Sequence, residues 1–570
     1  MMRTLLLMAA LGISVLAAGC ATVRPMGAAA PKPKVAPAQQ IAPLPPAAIY
    51  QALVAETALQ RGQFDIAADY YQRLARSVPD AKIAERATRI ALLARDDANA
   101  QASAKLWLEQ DPHSLDARLL LAASQIRRGQ IDAALEHLEI VLAAQARTPD
   151  RGYAAVISVL SNLPDSKAAL ATMEKLVARH ADDPHAHFAY AQLALRAEAL
   201  DTARTAIDMA LRLKPGWPSA MIVQARVLQL SGDTTKSLEI LGEVLKQQPQ
   251  DMPLRLIYAR ALAGANRHEE ALEQFEKLLK QYPDSPEVLL GTALLSLDLK
   301  RFDKAEEYLT RLSRQPKRAA EASFYLGAVA EAKKDHATAK KWYAAVPVGE
   351  TNYLNAQIRI ADILAKQGDV DGARKHLRGL EASDPGQKLR LYLAEGTILF
   401  QAGQYNQAIA VYDAALSEVP DNTDLLYGRA LARAELGQID LMEQDLSSII
   451  KREPDNAAAL NTLGYTLADR TNRYQEALGY IKRALELRPQ DFAIIDSMGW
   501  LQFKMGNKEE AIKYLRQAFD MSQDPEIAAH LGEVLWSTGD QSSAKELWQR
   551  VIKTAPDHKL LNETMRRFGQ

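Results

Sequence analysis

Small and apolar positions recur along this chain with a period of about 34 residues, from Ala48 almost to the last residue. A small residue returns once per period as Ala191, Ala225, Ala259, Ala293, Gly327, Ala361, Gly396, Ala430, Gly464, Gly499 and Gly532. Twelve positions after most of these stands an alanine: Ala203, Ala271, Ala305, Ala339, Ala373, Ala408, Ala511 and Ala544, with Ala477 one place later. Ser237 and Met442 take its place in two periods. Prolines keep the same beat: Pro215, Pro249 and Pro283 lie 34 apart, and Pro385, Pro420, Pro454 and Pro489 follow at intervals of 35, 34 and 35. The pattern predicts two helices per period. Antiparallel helices need a small side chain where their axes come nearest, and such a period holds two helices of about a dozen residues plus two turns.

The segment AEGTILFQAGQYNQAIAVYDAALSEVP shows one whole unit. Gly396 marks the close contact, Gly403 ends the first helix, and Tyr405 plugs the turn; Ala408, Tyr412 and Ala415 lie on the second helix, which Pro420 stops. This pattern strongly resembles the tetratricopeptide repeat family, which implies an all-α superhelical solenoid of helix pairs. By the same spacing about fifteen units occupy residues 47–556, and residues 557–570 carry Leu560, Leu561, Thr564 and Phe568 at the spacing of a capping helix. Two places break the rhythm. From Asp150 to Pro184, with Pro164 inside, no small-residue pair stands out, which predicts a distorted repeat or a bend; and Thr351 stands where a closing proline is due.

Composition changes this picture little. Hydrophobic residues make up 48% and charged residues 24%, and good helix formers dominate. No segment reads as a strand. A solenoid needs no single large core, because each repeat packs on its neighbours, so 570 residues fit one continuous array.

Ahead of the array, Met1–Arg3 give a positive start, Thr4–Leu16 an apolar run too short to span a bilayer, and LAAGC ends at Cys20, the only cysteine. This segment resembles the lipobox of bacterial lipoproteins, with Leu16 one place further from the cysteine than in that family. The resemblance implies a signal peptide over 1–19 and lipidation of Cys20, with Ala21 rather than aspartate after it suiting the outer membrane. Several acyl chains on one residue suffice for stable anchoring. Residues 20–46 then hold Pro25, Pro31, Pro33, Pro37, Pro43, Pro45 and Pro46, which predicts an extended spacer with polyproline character.

Charge names no partner. The net charge is −1, and loss of residues 1–19 with Arg3 leaves −2, so neither a basic excess nor a basic stripe supports nucleic acid as a ligand. No phosphate loop, nucleophile elbow or two-histidine zinc motif occurs, and no cofactor or enzymatic activity is expected. His180, His185 and His187 with Asp182 and Asp183 are the nearest approach to a metal set, but they straddle an inter-helix turn and read as surface residues.

Binding is what remains. On the first helices, the residues three before, one after and four after the small contact residue share the stripe that faces a solenoid's groove. Early and middle units place ordinary residues there: Arg226 and Gln229, Arg260 and Ala263, Asp362 and Ala365. Toward the C-terminus the stripe turns aromatic with Phe400, Tyr427, Tyr465, Trp500, Phe503 and Trp536, the expected protein-binding groove unless these side chains pack as core. Trp107, Trp342 and Trp548, on second helices near the seam, are expected to be core.

Lipobox, proline-rich tether and an all-repeat body together resemble the outer-membrane lipoproteins that bind a periplasmic carboxyl-terminal processing protease and bring it substrates such as peptidoglycan hydrolases. The segments LGYTLADRTNRYQEALGYIKRALELRP, DSMGWLQFKMGNKEEAIKYLRQAF and IAAHLGEVLWSTGD carry that likeness. It implies a lipid-anchored adaptor facing the periplasm. The other class such a lipoprotein fits is an assembly factor for a pilus, a secretin or an exopolysaccharide exporter.

Overall fold

The computed structural model describes residues 44–569, so the signal peptide, Cys20 and most of the tether lie outside the described residues. Thirty-one α-helices and no strand occur among the described residues. The chain divides into two compact units, one through Arg301 and one from Phe302. The first holds seven consecutive helix pairs, from Pro46–Gln60 with Phe64–Ser77 to Met252–Gly264 with His268–Gln281, and then Pro286–Asp298. The second opens with Phe302–Ser313, continues through seven pairs from Ala319–Ala332 with His336–Ala344 to Pro525–Ser537 with Gln541–Ile552, and closes on Lys559–Arg567. The architecture is that of an all-α tetratricopeptide-type solenoid.

The seams follow the small residues. Ala191, Ala259, Ala361 and Ala430 on first helices, and Ala203, Ala271, Ala373 and Ala408 on second helices, have no exposed surface. Where the first helix carries glycine, the residue 16 or 17 positions on is large and fills the space. A Cβ on Gly327 would stand 2.6 Å from the Tyr343 ring, on Gly464 2.6 Å from Ile481 Cγ1, and on Gly499 2.7 Å from Leu515 Cγ. Tyr412 reaches further: its ring lies against Gly396 in its own pair and Gly428 in the next, so one side chain ties two repeats together.

Turns inside the pairs repeat as regularly. The residue two past the end of most first helices is left-handed, glycine at Gly232, Gly368, Gly403 and Gly437, but Glu198, Asn266 and Lys334 in other pairs. The next helix is often capped by aspartate: Asp335 accepts from the Thr338 amide at 3.0 Å and Asp369 from the Gly372 amide at 2.9 Å.

The irregular places resolve in detail. Residues 149–179 form a pair of ordinary helices, Pro149–Leu160 and Ser166–Arg179, with Pro164 in the link and Val156, fully buried, in the small residue's place. Pro385 does not close a second helix: it occupies the first position of Pro385–Gln401, at 17 residues a turn longer than its counterparts. Where Thr351 replaces a proline, the preceding second helix stops early at Ala344. In the second unit, the terminal helix buries Leu561 and Thr564, and Phe568 lies tilted 5.4 Å from Trp536 and stacks 5.7 Å from Trp548. Trp107 and Trp548 are core. Trp342 is only half-buried, because its neighbour Tyr343 turns into the seam instead.

Candidate protein-binding surfaces

In the second unit the six aromatic stripe residues all lie on first helices, but they form separate groups. Phe400 stands edge-on to Tyr405 at 5.4 Å within one pair. Tyr427 bridges to the next repeat through its hydroxyl and Thr462 Oγ1, 2.8 Å apart. Trp536 lies stacked 5.9 Å from Trp548, with Lys545 Nζ 5.5 Å from its ring.

The largest group spans three repeats. Trp500 is 6% exposed and lies nearly parallel to the His530 imidazole at 4.3 Å, with Phe503 at 5.3 Å. Its Nε1 donates to Asp469 Oδ1 at 3.0 Å. His530 is buried; its Nδ1 lies 3.0 and 3.1 Å from the two Asp496 oxygens, and its Nε2 lies 3.4 Å from the Tyr465 hydroxyl. Burial opposes the imidazolium, yet Asp496, Glu526 and Asp469 together raise the His530 pKa. Burial, then Glu526, Asp469 and Asp496, push the Tyr465 phenol well up, so it stays protonated. Trp500 is thus the floor of this face, closed over by side chains of the next repeat, while Tyr465, Phe503 and Trp536 remain half-buried at its surface.

His530, Asp496 and Asp469 escaped the sequence reading. One signal was available: Asp496 precedes Gly499 by three, on the stripe, and His530 follows Asp496 by 34, which places the two on adjacent repeats.

The first unit corrects the expectation that early repeats are ordinary. Its first helices Pro149–Leu160, Pro184–Arg196 and Pro218–Leu230 line an open cavity of about 440 Å³. Tyr153 and Ile157 stand three before and one after Val156, Phe188 three before Ala191, and Ile222 three before Ala225, all in the stripe register. Trp217, just ahead of its helix, packs 4.6 Å from Phe188 and 4.7 Å from His185. Asp150 Oδ1 meets His185 Nδ1 at 2.6 Å, and the Tyr153 hydroxyl donates to Asp183 at 2.8 Å. The residues considered as metal ligands are dispersed: His180 pairs with Glu139, His185 with Asp150, and His187 with the Ala181 carbonyl. No group of three or more candidate metal ligands occurs among the described residues.

Models described as tetratricopeptide repeat match residues 115–139, 160–218, 228–289, 262–322, 443–492 and 495–525, and one described as TPR repeat matches 396–437. A TPR repeat-containing protein of Pseudomonas aeruginosa is 34% identical over 488 residues, covering 85% of this chain and 82% of that one. Protein O-mannosyl-transferase TMTC1 of Homo sapiens is 25% identical over 183 residues, 31% of this chain and 20% of that one. A crystal structure of the APC/C hetero-tetramer Cut9-Hcn1 covers 91% of this chain and 96% of its own at 15% identity, with a TM-score of 0.35. With its small-residue seams, paired helices and a relative alike over most of both chains, this protein belongs to the tetratricopeptide repeat family.

Proposed function

We propose that this protein is a non-enzymatic scaffold that binds other proteins on its first-helix faces, anchored through Cys20 to the periplasmic side of the outer membrane. One observation carries the binding part. The stripe register that directs side chains toward a solenoid's groove lines an open cavity in the first unit and an aromatic surface in the second. The anchoring part is supported by the LAAGC segment at Cys20 and the proline-rich stretch after it. Its partners, on the lipoprotein likeness of the C-terminal repeats, are a carboxyl-terminal processing protease and that protease's substrates, peptidoglycan hydrolases among them.

The test is direct. The chain from residue 21 onward is immobilised, periplasmic extract is passed over it, and retained proteins are identified by mass spectrometry. Retention of a serine protease together with wall hydrolases is the expected result. Retention of pilus, secretin or polysaccharide-export components alone would replace the adaptor with an assembly factor.

A further inference from the structure

We infer that the cavity on the first helices of residues 149–230 is a peptide-binding site, selective for a large apolar side chain with a lysine or arginine beside it. The inference rests on the scaffold reading and says what one of its surfaces recognises.

The walls set the apolar half. Phe188, Ile222 and Val223 line the cavity half-buried, with Trp217 as a nearly buried aromatic floor. A cavity of about 440 Å³ takes one large side chain and its neighbours, not a folded domain. Trp217 is contacted from several sides, by Phe188, by His185 and by Lys214 Nζ 4.2 Å from its ring, so the floor ring is packed in place without a ligand. Pre-ordered aromatic walls make good anchors because little side-chain freedom is lost on binding.

Charge sets the other half. No lysine or arginine lines the cavity, and Asp150 is its one carboxylate. The Asp150 side chain is 72% exposed at the rim, with Oδ1 engaged by His185. Asp183, beside it, is already committed to the Tyr153 hydroxyl and the His185 amide. A cation beside the anchoring side chain gains from the second Asp150 oxygen, which the pairing of Oδ1 with His185 leaves open, whereas an anion there would be repelled by it.

Isothermal titration of the folded chain from residue 21 onward decides the matter. The probes are the acetylated, amidated pentapeptide Ala-Leu-Phe-Lys-Ala and its counterparts with glutamate for lysine or alanine for phenylalanine. The lysine peptide is expected to bind saturably and on the order of tenfold more tightly than the glutamate peptide, while the alanine peptide does not bind. Asp150→Asn, an exposed substitution, should erase the charge preference and keep apolar binding. Ala154→Trp, from an exposed position on the rim, should block the cavity with the melting curve unchanged. Absence of saturable binding, equal affinity for the two charged peptides, a preference that survives Asp150→Asn, or binding unaffected by Ala154→Trp would each overturn the inference. If retained proteins still include the protease while the peptides fail, this site falls and the scaffold stands; if the peptides bind but no protein is retained, the reverse holds.

Discussion

Asp496 and His530 are one repeat apart in the chain and in contact in space, the carboxylate presenting both oxygens to Nδ1 at 3.0 and 3.1 Å while Trp500 covers the imidazole face. The array makes such contacts possible: helices Phe492–Lys504 and Pro525–Ser537 start 33 residues apart, so His530 stands one place beyond the equivalent of Asp496 on the adjacent pair. The contact is therefore a clamp between the last two pairs, 492–522 and 525–552. Because it is buried and ionic, its strength depends on protonation.

The sign of that dependence follows from the raised His530 pKa. A group whose folded pKa lies above its ordinary value of 6.5 contributes stability in full below that value and loses it as pH rises through the folded one. The difference in melting temperature between wild type and Asp496→Asn should be widest below pH 6.5 and narrow steadily above it. Circular-dichroism melts across a pH series measure this, and a gap independent of pH would contradict it.

Trp500→Ala should cost about 3 to 5 kcal/mol, the range for emptying a buried aromatic site. Phe503→Ala, at a half-buried position, should cost clearly less. Denaturant unfolding of the two variants separates them; a near-neutral Trp500→Ala would mean the ring is an exposed anchor rather than the floor beneath one.

Gly464→Leu and Gly499→Leu drive a side chain into Ile481 and Leu515 across the seam, where a Cβ alone already lies within 2.6 and 2.7 Å. Gly532→Leu meets the buried Trp548 indole, which is held by its bond to the Ala528 carbonyl. Each should destabilise by about 1 to 3 kcal/mol through overpacking, read as a shift in denaturant midpoint.

Lys300→Gly and Lys334→Gly should stabilise. Both lysines are left-handed, at φ of 58° and 64°, two residues past a helix end, the place that Gly232 and Gly368 take after other helices. Relieving that conformation is worth about 1 kcal/mol per site, partly offset by the greater freedom glycine has when unfolded. An unchanged or lowered melting temperature in the double variant would show that the offset wins.

Cys20→Ser should abolish membrane association and leave the array folded, since the seams and caps of residues 44–569 involve no cysteine. Fractionation of the variant with the outer membrane would count against the lipid anchor.

What the sequence determined by itself is the repeating part of the fold. A small residue each period, an alanine twelve later and punctuating prolines are local requirements of helix packing and helix ends, so they are legible one unit at a time. Regular spacing also placed the six aromatic stripe residues on first helices, because the helix pairs recur in register. The uses of those positions were decided in three dimensions. Whether Trp500 is covered depends on His530, a repeat away, and whether Phe188 borders a cavity depends on Trp217, which precedes its helix and falls outside the register. Val156, in the small residue's place, hid the pair that supplies Tyr153 and Ile157 to the same cavity. Pro385 reads like the other prolines, yet it starts a longer helix because the second helix before it has already ended at Arg378. In each case burial is a property of two or three repeats packed together, and no single period of the sequence contains it.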